Sequence, residues 1–288
     1  MLPTHLVLQL ALLFADFGQS AVWHPPANFR DTVLAACNNA GAGFGECLAR
    51  QMKVAGASAD ALAFTHVIHN NGYIEAFRPV AQVSVAEVLY PFRANENYGN
   101  FLVNGQPPAI DVDDLTRLPA EAMKESPRYR QVAAGHPQAS LWPGDRSTPN
   151  TLLALLFADG SQQFIADYRI QDGCHACAVL GQAFFGFSFD KSGKFTRVDF
   201  AGFNPRYSFS RITTQKFFQL KPATTFTVVL PGNSWSLSPL TKPGHLQALG
   251  RKYQSPNELW TFRTVSTGET TLHFTDPTQR ILVTVRAR

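Results

Sequence analysis

The chain has 288 residues, of which 45% are hydrophobic and 16% are charged. This composition supplies enough apolar surface for folded cores and excludes an intrinsically disordered chain, and the length suits two or three domains. The formal net charge is +4, and the basic residues are scattered along the chain. Because a nucleic-acid interface needs basic residues concentrated on one face, we expect no nucleic-acid partner.

The first residues have the pattern of a secretory signal peptide. An apolar run from Leu6 to Phe14 precedes the small residues Gly18, Ser20 and Ala21. We therefore predict a signal peptide over residues 1–20, with cleavage after Ser20 or Ala21, and a periplasmic or secreted protein. A buried N-terminal helix is the alternative. No other segment reaches the roughly 18 apolar residues of a membrane span, so none is expected in the mature chain.

The cysteine content predicts disulfides, because four cysteines in an exported chain suggest two bridges. Of the possible connectivities, the simplest pairs neighbours in the chain: Cys37 with Cys47, and Cys174 with Cys177. In the chain-entropy picture these bridges would contribute about 2.8 and about 1.9 kcal/mol. Both are predicted to be local clamps.

Residues 21–118 are predicted to form a small α+β unit. Helices are expected over Asp31–Cys37, from Gly45 onward, and from an N-cap at Ser58 to the stop at Asn70-Asn71-Gly72. The apolar period then changes to two, which predicts strands with a turn at Asn104-Gly105. Residues 119–150 are rich in proline and are predicted to be an irregular connection.

The second half of the chain is predicted to be β-structure. Residues 151–204 read as an antiparallel meander with turns at Asp159-Gly160, Asp172-Gly173 and Ser192-Gly193. Residues 215–288 contain short strands at the spacing typical of an immunoglobulin-like β-sandwich. The predicted fold class is therefore α+β: a small helical or α+β N-terminal unit, an antiparallel β-meander and a C-terminal immunoglobulin-like sandwich.

Part of this C-terminal segment resembles a known family. The run FTVVLPGNSW, residues 226–235, and the later run LWTFRTVSTGETTLHF, residues 259–274, resemble the chagasin-type cysteine-peptidase inhibitors. The resemblance implies a small β-sandwich over the last quarter of the chain. The segments that carry inhibition in that family differ here: no Pro-Thr-Thr-Gly follows Asn233, and Asp276-Pro277-Thr278 stands where an Arg-Pro-Trp loop is expected.

The stretch Cys174-His175-Ala176-Cys177 admits several chemistries. A c-type haem needs His directly after the second cysteine, but Ala178 stands there, so haem attachment is excluded. A thioredoxin-like centre would need a helix after the first cysteine, whereas the alternating phenylalanines that follow predict a strand. A structural hairpin disulfide is the favoured interpretation; redox and metal roles stay open.

Other clusters were considered as binding sites. The loop YPFRANENYGN, residues 90–100, makes Arg93, Glu96 and Tyr98 candidate ligand-binding residues, although Arg93 and Glu96 could instead form an ion pair. The pair His66 and His69 suits a metal by spacing but is favoured as a polar helix end. The acids Asp111, Asp113 and Asp114 lack the glycine and glutamate of an EF-hand and are favoured as turn caps. We expect no cofactor.

These patterns favour a binding role over catalysis. None of the short motifs of nucleophile elbows, zinc peptidases, phosphate loops or dinucleotide folds occurs in the sequence. We therefore expect an exported, non-enzymatic binding or envelope-associated protein whose partner is a protein or peptide. The alternatives are a peptidase inhibitor that acts through the C-terminal sandwich, and a thiol-disulfide redox protein that uses Cys174 and Cys177.

Overall fold

A computed structural model describes residues 16–37, 43–69, 71–93, 97–146, 152–205, 213–238 and 243–288. The chain divides into two compact units, residues 1–112 (unit 1) and residues 113–288 (unit 2). Antiparallel sheets dominate and are accompanied by short helices, so the predicted α+β class is confirmed. Within the described ranges, no helix has both the length and the apolar character to cross a membrane.

Unit 1 begins with three short helices, as predicted. They are α1 (Phe29–Cys37), α2 (Phe44–Val54) and α3 (Ala59–Val67). The Ser58 hydroxyl accepts a 3.0 Å hydrogen bond from the Ala61 N–H and so caps α3 at the predicted residue. The Cys37–Cys47 disulfide, with Cα atoms 5.8 Å apart, joins the end of α1 to the first turn of α2.

The rest of unit 1 is a meander sheet. Its strands are β1 (Tyr73–Arg78), β2 (Ser84–Leu89), β3 (Tyr98–Val103) and β4 (Ala109–Asp111), paired antiparallel in chain order. The predicted turn follows β3, where Asn104 has a positive φ of 68°. A short polar side chain such as asparagine tolerates this conformation better than most residues do.

The end of the predicted signal peptide belongs to the folded part of unit 1. Phe17 and Ala21 are 4% and 0% exposed and lie in one apolar cluster with Phe64 of α3. The Asn104 amide accepts a bond from the Phe17 N–H and donates one to the Phe17 carbonyl, both at 2.7 Å. A cleavage after Ser20 or Ala21 would remove this packing, and the signal peptide stays a prediction. Residues 1–15 lie outside the described ranges.

Unit 2 opens with structure where an irregular connection was predicted. The described part of residues 119–150 contains α4 (Ala120–Lys124), α5 (Pro127–Ala133) and β5 (Ala139–Pro143). Pro127 stands at the first turn of α5, where proline fits because the missing N–H has no helical partner. β5 pairs antiparallel with the strand β7 defined below. Pro119, Pro127 and Pro143 therefore stand at the ends of elements.

Two sheets form the rest of unit 2. The strands that follow β5 are β6 (Leu153–Phe157), β7 (Gln162–Asp172), β8 (Val179–Phe189), β9 (Phe195–Asn204), β10 (Thr213–Leu220), β11 (Thr225–Pro231), β12 (Ser236–Leu237), β13 (Leu246–Gln254), β14 (Asn257–Thr264), β15 (Gly268–Thr275) and β16 (Arg280–Ala287). The large sheet has the order β13-β14-β11-β6-β7-β8-β9, with β5 on β7, and the small sheet has the order β10-β16-β15-β12. The predicted meander is β6 to β9, whereas β10 and β16 pair in parallel.

The two sheets of unit 2 share one apolar core. β11 pairs with β6, so the large sheet combines strands from the predicted meander, residues 151–204, with strands from residues 215–288. Fully buried side chains come from the large sheet, such as Ile165, Phe226 and Phe262, and from the small sheet, such as Phe218 and Val283. Alternating apolar residues on each strand produce this packing because successive side chains point to opposite faces.

β13, which forms a hairpin with β14, has no strand pattern in its sequence. Apart from Leu246, every residue of β13 is exposed, so the strand carries no apolar alternation for a sequence pattern to detect. Pairing with β14 along its length holds β13 in place.

Candidate functional site

The loop predicted to bind a ligand is largely occupied with its own contacts. The Arg93 guanidinium lies 3.5 Å from the centre of the Tyr90 ring. The Asn97 amide donates bonds of 3.1 and 2.6 Å to the carbonyls of Tyr90 and Arg93 and so closes the loop. Tyr98 is half-buried at the start of β3, and Glu96 lies outside the described residues. A ligand role for these residues stays a prediction.

The residues considered for metal binding take up other positions. His66 and His69 are exposed at the end of α3. Asp114 accepts a 3.1 Å bond from the Thr116 N–H as a turn cap, and Asp113 pairs with Arg146 at 3.0 Å. In the part of the chain that the structure describes, no three His, Cys, Asp or Glu side chains group together as a metal site would require.

A buried ion network joins the two sheets of unit 2. Asp167 on β7 accepts a 2.5 Å bond from Lys216 on β10 and a 3.2 Å bond from Arg146. The side chains of Lys216 and Arg146 are 1% and 2% exposed. Arg146 also bonds to the Asp113 carboxylate and to the Asp167 carbonyl. Each buried cation therefore faces a carboxylate, which is the condition under which charges can be buried.

The network holds its acid ionised. Burial alone would raise the pKa of the Asp167 carboxyl, but the charges of Lys216 and Arg146 outweigh it and hold that pKa below its usual range. Burial alone would likewise lower the pKa of Arg146, yet Asp113 and Asp167 raise it. Asp167, Lys216, Arg146 and Asp113 bond to one another, and the bond between Asp167 and Lys216 links the two sheets.

Unit 2 contains a cleft of about 910 Å³ between its two sheets. One wall is formed by the ends of β7, β8 and β9 with their connecting turns, and the other by the end of β10 and the start of β11. Along β7 the inward-facing residues are Gln163 in the cleft, Ile165 in the core and Asp167 in the ion network. The cleft thus lies at one end of the space between the two sheets, next to the apolar core.

The floor of the cleft is polar at its centre. The Gln163 amide donates a 3.1 Å bond to the Ser188 hydroxyl across the β7–β8 pair. A Cβ at Gly186 would stand 2.7 Å from the Gln163 amide nitrogen, so a side chain there would require Gln163 to move. Gln219 of β10 donates a 2.7 Å bond to the Ala201 carbonyl and ties the two walls together. The apolar lining comes from Phe157, Phe189, Phe200, Phe218 and Leu220.

The acids at the rim of the cleft are engaged. Asp159 accepts bonds from the N–H and hydroxyl of Ser161, which lower the pKa of its carboxyl. Asp190 caps the β8–β9 turn in the same way, and its bond from the Ser192 hydroxyl contributes most to lowering its pKa. In Asp159 and in Asp190, a single carboxylate oxygen accepts all of these capping bonds. Both acids are therefore ionised and shape turns.

Two cations of the cleft lack such partners. Lys221 and Arg288 are exposed at one end of the cleft, where the Arg288 N–H bonds to the Leu220 carbonyl at 3.0 Å. Within the described ranges, neither side chain has an ion-pair partner, whereas Arg197 on the opposite wall bonds to Asp199 at 2.6 Å. This end of the cleft therefore offers positive charge to a ligand.

The Cys-x-x-Cys segment forms the β7–β8 corner, as predicted. Cys174 and Cys177 are bridged, with Cα atoms 5.0 Å apart. No described helix begins there, because β8 starts at Val179. Gly173 has a positive φ of 87°, which the turn requires and which a side chain would strain. The pairing of both disulfides is thus as the sequence predicted.

Two segments of the sequence differ from the inhibitory segments of chagasin-type inhibitors: the one after Asn233, and Asp276-Pro277-Thr278. Both are tight turns here. Gly232 has a positive φ of 82° after β11, and the Pro231 carbonyl accepts a 2.6 Å bond from the Trp235 indole. Asp276 caps the β15–β16 turn by accepting bonds from the N–H groups of Thr278 and Gln279 at 2.6 and 2.9 Å. Neither turn presents an extended loop.

No local pattern in the sequence indicates the cleft. Its residues come from strands that are far apart in the chain, so no local motif brings them together. One signal was present: Ser188 is a polar residue in β8, which is otherwise mostly apolar, and it stands opposite the polar Gln163 of β7. A polar pair at cross-strand positions inside a buried layer indicates either a hydrogen bond or a site.

Comparison with known proteins adds no family. No protein-family model matches the chain, and no curated protein matches it significantly. Inferences about function therefore rest on the chemistry of the residues.

Proposed function

We propose that this is an exported, non-enzymatic binding protein that holds an elongated amphipathic ligand with an anionic group in the cleft of unit 2. The observation that carries the proposal is the cleft of about 910 Å³, with its phenylalanine lining and the exposed cations Lys221 and Arg288. Ligand sites are concave, mainly apolar and fitted with a few polar groups that orient the ligand, at volumes of roughly 300 to 1,000 Å³. A peptide with an acidic end fits this description.

The lining favours binding over catalysis. It contains no His or Cys, and its serine at the centre, Ser188, accepts a bond from Gln163 with no base beside it. A nucleophilic serine needs an adjacent general base to be activated. The rim acids Asp159 and Asp190 cap turns, and Asp199 pairs with Arg197. The polar groups are therefore suited to fixing a ligand.

The disulfides support export. Both pairs have Cα distances in the range that a bridge requires, 5.8 and 5.0 Å. Disulfides persist in oxidising compartments such as the periplasm and the extracellular space. For the fold of unit 2 we propose an immunoglobulin-like sandwich, supported by the single core that its two sheets share. Fractionation of cells that express the natural chain tests export, and retention in the cytosol would contradict it.

The cleft is tested with the fluorescent probe 8-anilinonaphthalene-1-sulfonate, an aromatic anion. We expect saturable binding at one site. Ser188→Trp and, separately, Thr225→Trp fill the cleft and should abolish binding, with circular dichroism to confirm the fold. The double change Lys221→Gln with Arg288→Gln should weaken binding about tenfold through loss of charge-assisted contacts. Lys53→Gln, an exposed cation of unit 1, is the matched control. Probe binding that survives both tryptophan variants contradicts the proposal.

A further inference from the structure

The two disulfides of this chain differ sharply in their exposure. Cys37 and Cys47 are 0% and 5% exposed and lie in an apolar cluster with Trp23 and Leu48. Cys174 is exposed and Cys177 is half-buried at the corner between β7 and β8. An attacking thiolate has to reach a disulfide sulfur, so only the corner bridge is open to exchange in the folded protein.

The corner is held by contacts that do not involve the sulfur atoms. The Asp172 N–H bonds to the Ala178 carbonyl at 3.1 Å and closes the hairpin below the bridge. The Gln171 amide donates a 2.7 Å bond to the carbonyl of His175. The His175 ring packs edge-on against Trp142, with the ring centres 5.4 Å apart. Opening the bridge therefore leaves the loop restrained by its backbone and its neighbours.

The bridge also contributes little as a staple. It closes a loop with a sequence separation of only 3, against 10 for Cys37–Cys47. In the chain-entropy model the shorter loop restrains the unfolded chain less. The strands that it joins are already paired from Gln162–Phe189 to Gln171–Val179. A disulfide that is exposed and closes a short loop between paired strands fits reversible chemistry better than stapling.

We infer that Cys174–Cys177 is a thiol-disulfide exchange site that a protein dithiol reduces. A thiolate of the partner attacks the Cys174 sulfur, the Cys174–Cys177 bond breaks, and Cys177 leaves as a thiolate that takes a proton from water. The second partner thiol, deprotonated, then attacks the partner's own sulfur in the mixed disulfide, the bond to Cys174 breaks, and Cys174 leaves as a thiolate that takes a proton from water. The partner becomes a disulfide and this chain a dithiol, with two electrons and two protons transferred. The inference is independent of the ligand proposed for the cleft.

The first experiment uses the buried bridge as an internal control. The oxidised full chain is treated for one fixed short time with increasing dithiothreitol, blocked with N-ethylmaleimide and mapped by mass spectrometry. We expect Cys174 and Cys177 to be modified at concentrations at least about tenfold below those needed for Cys37 and Cys47, because access controls exchange. Circular dichroism should not change over that range. Joint reduction of both bridges, or reduction only with unfolding, would overturn the inference.

The second experiment tests which sulfur is attacked and by what. Cys177→Ser leaves the exposed Cys174 thiol, and Cys174→Ser leaves the half-buried Cys177 thiol. We expect the first variant to react with Ellman's reagent about tenfold faster, since exposure limits the rate. Reduced thioredoxin, as a protein dithiol probe, should open the corner of the natural chain and leave Cys37–Cys47 intact. Equal rates for the two variants, or no reduction by thioredoxin, would contradict the assignment.

Discussion

Lys216 on β10 donates a 2.5 Å hydrogen bond to the Asp167 carboxylate on β7, and this contact spans the two sheets of unit 2. Their side chains are 1% and 11% exposed. Arg146 bonds to the same carboxylate oxygen at 3.2 Å. Because the contact lies between the sheets, on the strands that also line the cleft, it fixes their separation there.

Loss of one partner from this pair should destabilise unit 2 strongly. Lys216→Met removes a buried cation, and Asp167→Asn leaves Lys216 without its counter-charge. An uncompensated buried charge costs about 3 to 5 kcal/mol. Urea unfolding measured by tryptophan fluorescence reports the change, since Trp142, Trp235 and Trp260 belong to unit 2 and Trp23 to unit 1.

The exposed pair of Arg197 and Asp199 is the matched control for the buried pair. Its side chains are 67% and 45% exposed. Asp199→Asn should therefore change the free energy of unfolding by less than about 1 kcal/mol. If Asp167→Asn costs no more than Asp199→Asn, the buried network does not hold the sheets together.

The same carboxylate should make stability depend on acidity. Burial, which alone would raise the Asp167 pKa, is outweighed by Lys216 and Arg146, so the folded pKa lies below the unfolded value of about 3.9. The folded state binds this proton more weakly than the unfolded chain. The contribution is complete well above about pH 4 and falls as the pH decreases through the folded pKa. Urea midpoints of the natural chain and of Asp167→Asn should differ at pH 7 and converge towards pH 3. A gap that is constant with pH would contradict this.

Local features of the fold could be predicted from the sequence because their causes are local. The turns at Gly160, Gly173 and Gly193 have positive φ values of 85°, 87° and 81°, which glycine adopts at little cost. The alternation of apolar residues between them defined the strands of the meander. Ser58 was placed as an N-cap because its hydroxyl can accept a bond from the first turn of α3.

Long-range pairing could not be predicted in this way. The parallel partner of β10 is β16, whose sequence gives no sign of which strand it joins. Asp167 and Lys216 are 49 residues apart, and each reads by itself as an ordinary charged residue in a strand. The cleft depends on such pairings, because its walls come from both sheets. Local patterns therefore predict the helices, strands and turns, whereas the position of the cleft depends on how the two sheets pack together.

The two disulfides should differ in their effect on stability. Replacing Cys37 and Cys47 by serine removes a bridge worth about 2.8 kcal/mol in the chain-entropy model, and it also leaves polar groups in an apolar cluster. The corresponding change at Cys174 and Cys177 should cost about 1.9 kcal/mol or less. Thermal unfolding of the two double variants measures the difference. A larger loss from the Cys174 and Cys177 variant would show that the corner bridge is a structural staple.

The segment from Phe17 to Ala21 should be required for the stability of unit 1. Phe17→Ala deletes a ring that packs edge-on against Phe64, with centres 5.2 Å apart, and such truncations cost about 3 to 5 kcal/mol. Ser20→Ala, which changes an exposed hydroxyl, is the control and should cost far less. A chain that starts at Asp16 retains these contacts, whereas one that starts at Val22 should lose cooperative unfolding of unit 1. Trp23 fluorescence follows that transition, because Trp23 packs against Tyr73 in unit 1. Equal stability of the two truncated chains would mean that export can remove residues 16–21 without harm to the fold.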